Sequence, residues 1–384
     1  MPLDTSRRQF LGGSIAIAGV FTSHPAPAVQ GKQPTVPVID LNATKIWGGC
    51  RIVEISVVVK DAEKSAQCLA DVFGVSWTIY AFKPERVVVH DRKSASECVL
   101  KVAIGYFGGY AFRLVQPVSG ASSHREFLER HGSGFYSLGL GALAVGGKQT
   151  IVERFASAGV GTEMQGEVGN GARFAVLDTV EHLGCRIELT TPPQLPGTGY
   201  FRPTGRLTPG RASAINMDNP AIAGGRRFDE IGIVVKDEKR AVERFGALLG
   251  IDRWGFSDGR FRPTSELLYG KPVAPADLAA EAIGAAYAYA GGSLLELLSP
   301  GTLYGSHGVY LEKHGPGIQM LRMNSEENFD AEVAALVRAG LVLEREAKFY
   351  PPGKTSGPHS VAVFLNIGED LSGFVVELFC DNTA

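Results

Sequence analysis

Five glutamates stand inside β-branched or apolar runs of this 384-residue chain. They are Glu54 in Ile52-Val53-Glu54-Ile55, Glu188 in Arg186-Ile187-Glu188-Leu189, Glu230 in Asp229-Glu230-Ile231-Gly232, Glu296 in Leu295-Glu296-Leu297 and Glu377 in Val375-Val376-Glu377-Leu378. Successive side chains of a strand point to opposite faces. Each carboxylate therefore faces water, enters a structural ion pair, or points into a cavity. Carboxylates that share a cavity cannot all ionise cheaply, so at least one pKa rises. A glutamic acid raised in this way can donate a proton while an ionised neighbour accepts one. That chemistry serves an isomerase, an epimerase or an eliminating lyase acting beside a carbonyl. The remaining reactive residues offer less. His131 and His314 sit in H-G-x-G turns and read as helix-end residues facing the last carbonyls. His90 and His307 read as loop or surface, whereas His359 precedes a strand whose side chains could reach a cavity. Tyr106, Tyr110, Tyr287 and Tyr289 alternate on strands and read first as core packing. No Ser-His-Asp order, nucleophilic cysteine motif or phosphate-cradling glycine loop is present.

The elements that must carry these residues occur twice. Ile52–Asp61 matches Phe228–Asp237, and each is a β-branched run that meets Asp and a helical pattern. Those helices end at Phe73-Gly74-Val75 and Leu249-Gly250-Ile251, with glycine at the exit. Phe112–Pro117 matches Leu295–Pro300, and Phe127–Gly134 matches Tyr310–Gly317 at the same, slightly larger offset. Cys185–Leu189 matches Phe374–Leu378 at an offset slightly larger again. The offsets grow in small steps, so the insertions belong in loops. Each copy divides again into strand, helix and several strands, with helices expected at 148–158 and 328–340 from their apolar stripes. The expected organisation is α+β: four βαβββ units in two pairs, one domain over 47–190 and another over 227–384. Residues 191–226 are dense in Pro and Gly and are expected to be an irregular linker. Its Arg202, Arg206, Arg211, Arg226 and Arg227 read as solvated surface, the other reading being that they line a cleft.

Composition narrows the partners. A net charge of -2 argues against a nucleic-acid footprint or a polybasic membrane binder. Hydrophobic residues at 45% supply real cores, and five cysteines make no disulfide framework. Residues 1–28 read as an address. Ser6-Arg7-Arg8-Gln9-Phe10-Leu11 resembles the twin-arginine export motif, a short apolar stretch follows, and Ala26-Pro27-Ala28 is an A-x-A cleavage pattern. The implied partner is the twin-arginine machinery and the implied destination is the periplasm or the exterior. Export in the folded state accords with few cysteines. A destination without free CoA thioesters, ATP or NAD makes a nucleotide cofactor unexpected. No stretch approaches the ~18 apolar residues of a membrane span.

The V-V-V-K-D and I-V-V-K-D strand-to-helix starts, the Q-P and S-P strand exits, the H-G-x-G turns and the I-E-L and V-E-L closing strands together resemble the vicinal oxygen chelate superfamily. That superfamily includes glyoxalase I, methylmalonyl-CoA epimerase and the extradiol ring-cleaving dioxygenases. The resemblance covers nearly the whole mature chain. It implies two half-open barrels of paired βαβββ modules, each able to hold one divalent metal from four strand positions. In the second domain those positions carry Glu230, Glu296, Met320 and Glu377, with Gln319 facing away; the first domain carries Glu54, Arg113, Ser137 and Glu188. Thioether sulfur suits soft ions, so Met320 is a poor ligand for a hard cation. Arg113 brings a positive charge where a ligand belongs, and an ion pair with Glu54 or Glu188 is expected. The implied working site is Glu230, Glu296 and Glu377, as acid/base residues and as ligands of a divalent metal if one is bound; the first domain is the degenerate copy. Neither domain supplies the two histidines that a ring-cleaving iron site requires. The sequence reading is an exported lyase or isomerase for a small carbonyl-containing or aromatic substrate. The alternatives are a non-catalytic sequestering protein and, third, a ring-cleaving dioxygenase.

Overall fold

The computed structural model describes residues 51–383 except 91, 94–96, 141–150, 169–171, 192–202, 216, 218–225, 258–262, 281–282, 303–304, 326–327, 351–353, 355 and 368–373. The export-like segment 1–28 and Arg202 lie outside the described residues. The first half runs β1 (Ile52–Val58), α1 (Ala62–Phe73), β2 (Trp77–Phe82), β3 (Glu85–Val89), β4 (Arg92–Lys93), β5 (Val99–Phe107), β6 (Tyr110–Ser119), α2 (Ser123–His131), β7 (Gly134–Leu140), α3 (Ile151–Ser157), β8 (Thr162–Val168), β9 (Ala172–Leu177), α4 (Val180–Leu183), β10 (Arg186–Thr191) and β11 (Pro203–Leu207). The second runs β12 (Glu230–Val234), α5 (Glu238–Leu249), β13 (Gly255–Phe256), β14 (Ser265–Leu268), β15 (Lys271–Pro272), α6 (Pro275–Ala280), β16 (Ile283–Ala290), β17 (Ser293–Pro300), α7 (Gly305–His314), β18 (Gly317–Asn324), α8 (Phe329–Arg338), β19 (Val342–Phe349), β20 (His359–Asn366) and β21 (Val375–Thr383).

The duplicated sequence produces duplicated local structure. Asp61 and Asp237 cap α1 and α5, each accepting two backbone N–H bonds through Oδ1 at 3.0 Å. Both helices end on a left-handed glycine, Gly74 at φ 73° and Gly250 at φ 68°. The strands form two sheets, in the orders β11-β2-β5-β6-β1-β7-β10-β9-β8-β3-β4 and β13-β16-β17-β12-β18-β21-β20-β19-β14-β15. Neither sheet closes on itself, and each is a half-open barrel built from two βαβββ modules. The modules meet where β1 runs antiparallel to β7 and β12 antiparallel to β18.

One hydrophobic cluster runs through both halves. Phe228 lies 5.7 to 6.0 Å, ring to ring, from Phe73, Phe107 and Phe112, and Phe374 lies 4.7 Å from Phe135. Gly108, at φ 60°, touches the Phe228 ring so closely that a Cβ would lie 2.2 Å from it, so only glycine fits. The Pro/Gly-rich stretch is not wholly irregular, because β11 extends the first sheet by pairing with β2. Arg226 is no surface residue: it is buried and pairs with Glu332 at 2.8 Å. Among the described residues, Cys98, Cys185 and Cys380 are free. No helix among the described residues is long and apolar enough to cross a membrane.

Candidate functional site

Register brings the second-half residues together. Glu230 on β12 is paired with Arg322 on β18, and Arg322 is paired in turn with Glu377 on β21. On the other side of β12, Gly232 pairs with Glu296 on β17, which pairs with Tyr287 on β16. A guanidinium is thus flanked by carboxylates from both modules. Arg322 Nη1 lies 2.8 Å from Glu230 Oε2, and Nε lies 3.5 Å from Asp229 Oδ1. Glu230, Glu296 and Glu377 are buried, whereas Arg322 retains 21% of its side-chain exposure and presents the cluster to solvent.

Met320, expected at the third strand position, is one alternation short of this row. It pairs with Gly232, lies over it, and belongs to the apolar cluster of Val234, Ala285 and Phe364. The residue level with Glu230 and Glu377 is Arg322. Arg322 stands two places beyond Met320 on the same strand. Gln319 points the other way and accepts from His307 Nδ1 at 2.6 Å. His307 is buried rather than at the surface. Arg345 Nη1 donates to its Nε2 at 3.0 Å, which fixes the tautomer with the proton on Nδ1. Burial, and then Arg345, lower its pKa to about 3. Tyr106 and Tyr289 stay exposed rather than packing in the core, while Tyr110 is buried. His359 stacks on Tyr350 at the protein surface.

The charge of the second cluster is unbalanced. Burial raises Glu230 well above the ordinary carboxylate range; Glu296 and Glu377 add to this and Arg322 opposes it. Burial lifts Glu377 to about 8, against the pull of Arg322 and with the push of Glu296. Tyr287 is raised by burial and then by Glu296 and Glu230. Burial disfavours the charge on Arg322, yet Glu230, Glu377, Asp229 and Glu296 more than offset it and push its pKa up. Both oxygens of Glu230 and Oε2 of Glu377 lack a well-aligned hydrogen bond among the described residues.

The first half solves the same problem differently. Arg113 on β6 pairs with Glu54 at 3.1 Å and with Glu188, as the sequence suggested, and Ser137 Oγ donates to Glu188 at 3.2 Å. Burial still raises Glu54, countered by Arg113 and reinforced by Glu188. Both carboxylates there have partners, so this cluster is self-contained.

The second cluster has the oxygen donors that a hard cation prefers, yet it does not fit a divalent ion. Such an ion would need the carboxylate oxygens that already face Arg322, and its charge would stand beside the guanidinium. No group of three or more His, Cys, Asp and Glu among the described residues could hold a metal. The geometry therefore gives no support to Glu230, Glu296 and Glu377 as metal ligands.

No family model matches the sequence, and no curated protein matches it. Solved structures do. A mutant of 4-hydroxymandelate synthase from Streptomyces coelicolor aligns over 88% of this chain and 94% of its own, with TM-score 0.52 and 15% identity. A Mn(II)-bound glyoxalase from Novosphingobium aromaticivorans aligns over 87% and 82%, with TM-score 0.40 and 12% identity. A methylmalonyl-CoA epimerase from Streptomyces coelicolor aligns over 40% and 95%, with TM-score 0.26 and 21% identity. The likeness to the 4-hydroxymandelate synthase shows the fold, an α+β arrangement of paired βαβββ modules in two half-open sheets.

Proposed function

We propose that the chain is a metal-independent isomerase or lyase acting on a small carbonyl-containing molecule in the second half-barrel. The observation that carries this reading is the Arg322 guanidinium, 2.8 Å from Glu230 and flanked in register by Glu377. A fixed cation facing solvent can hold the oxygen of a carbonyl as negative charge develops on it. Glu296 is the base that takes a proton from the adjacent carbon. Glu377, protonated at neutral pH, is the acid that returns one. Glu230 holds Arg322 in place. The lack of an aligned partner at Glu377 Oε2, which costs folding energy, keeps that group available to a ligand.

The export-like segment supports delivery of this protein through the twin-arginine pathway to the periplasm. In that compartment a small diffusible carbonyl compound, rather than a CoA thioester, is the substrate in this reading.

The test is α-proton exchange. Small α-hydroxy ketones and 2-oxo acids are incubated with the protein in D2O, and exchange is followed by proton NMR. We expect exchange to persist after exhaustive chelation and to fall about 10²–10⁴-fold in Glu296→Gln. A stoichiometric divalent ion whose removal abolishes exchange would overturn the metal-free reading. Saturable binding of these compounds with no exchange or conversion would favour the sequestering protein.

A further inference from the structure

A cavity of about 540 Å³, lined by none of Glu54, Glu188, Glu230, Glu296 and Glu377, lies between the two H-G-x-G turns. Its lining is pseudo-symmetric. Phe127 and Tyr310, Arg130 and Lys313, and His131 and His314 all line it, and each pair stands at the offset that aligns the two turns in the sequence. The local stacking is repeated as well: His131 lies 5.0 Å from Phe127 at 39°, and His314 lies 5.0 Å from Tyr310 at 34°. Arg186 enters this space from β10. Its guanidinium sits 5.4 Å from the Phe127 ring centre and 5.0 Å from that of Tyr136. Its Nε donates to Glu163 at 2.7 Å, and neither Nη group has a hydrogen-bond partner among the described residues.

The carboxylates at the wall are mostly engaged. Glu163 is held by Arg186, and Glu181 by Lys236 at 3.0 Å, which leaves Asp178 against Arg130, Lys313 and the free end of Arg186. The electrostatic result shows in His131. Burial, then Arg186, Arg130 and His314, lower its pKa to about 4, so the imidazole is neutral at pH 7 and adds no charge of its own.

We propose that this cavity binds a small aromatic carboxylate, a site separate from the one assigned to catalysis. A planar guanidinium whose Nη groups have no hydrogen-bond partner among the described residues matches a carboxylate bidentately. The flanking rings of Phe127, Tyr136 and Tyr310 match a flat apolar body. The volume falls in the range of small-molecule sites.

The test is titration calorimetry of the full chain with benzoate at pH 7, with inorganic phosphate as the compact-anion control. We expect one benzoate per chain with a Kd below about 1 mM, equivalent to about 4 kcal/mol, and phosphate at least tenfold weaker. The exposed pair Arg130→Glu with Lys313→Glu should weaken benzoate at least tenfold while far-ultraviolet circular dichroism stays unchanged. Arg186→Gln should do the same, and the rim pair keeps the test decisive if that variant fails to fold. Arg322→Met should leave benzoate affinity unchanged, which separates this site from the catalytic reading. No saturable benzoate binding up to 10 mM, phosphate binding as tightly as benzoate, or affinity that follows Arg322 instead of Arg186 would each overturn the proposal.

Discussion

Glu377 is the residue whose protonation makes the sharpest prediction. Its folded pKa of about 8 stands above the ordinary 4.5, so the folded chain holds a proton that the unfolded chain releases. Its contribution is fully present below pH 4.5 and is lost as pH rises through 8. Thermal unfolding should therefore show stability falling between pH 5 and pH 9, and Glu377→Gln should flatten part of that slope and be the more stable protein at pH 9. The same substitution should abolish the proposed exchange at every pH, because glutamine has no proton to give. Arg322→Met tests the other charge: removal of the group that holds a developing oxyanion should cost about 10²–10³ in kcat, read in the same exchange assay. Full activity in that variant would exclude the guanidinium from the reaction. Of these residues, Glu230, Glu296 and Glu377 were legible because a carboxylate in an apolar or β-branched run is conspicuous. Arg322 is not legible in this way, because the third position falls on Met320 by spacing and a one-alternation slip cannot be detected from period alone.

At the scale of elements, the two strand-to-helix starts are the best-specified parts of the chain. Asp61 and Asp237 each satisfy two orphan N–H groups with one carboxylate oxygen, and left-handed glycines close both helices. Asp61→Ala or Asp237→Ala should cost about 1 kcal/mol, visible in chemical denaturation as a lower midpoint with an unchanged slope. These signals are local in sequence, which is why α1 and α5 could be placed from it. The helices expected at 148–158 and 328–340 were legible for the same reason and appear as Ile151–Ser157 and Phe329–Arg338. β11 was not legible. Its Pro203 and Gly205 argue against a strand, but an edge strand tolerates proline because one side of its backbone goes unpaired. The polar core under α7 was equally hidden. His307, Gln319, Arg345 and Glu266 come from four separate elements, and only the fold shows that each satisfies another.

Across the whole molecule, the halves share apolar contacts rather than meeting through solvent. Phe374 belongs to β21's approach in the second half yet lies 4.7 Å from Phe135 and 6.0 Å from Phe112 in the first. It is fully buried, so Phe374→Ala should cost about 3–5 kcal/mol and should lower the unfolding of both halves in a single transition. Two separated transitions in calorimetry, with only one of them moved, would show that the halves unfold independently. Gly139 carries a different consequence. It is the first-half counterpart of Arg322 at the offset that aligns the H-G-x-G turns, and a Cβ there would lie 2.7 Å from Glu54 Cβ. The first half could not accept an arginine at that place and took its guanidinium from Arg113 instead, where the second half has Glu296. Two copies of one ancestral module thus placed their arginines on different strands. A common ancestor would have passed on one arrangement, so the two copies changed independently at these positions after the duplication.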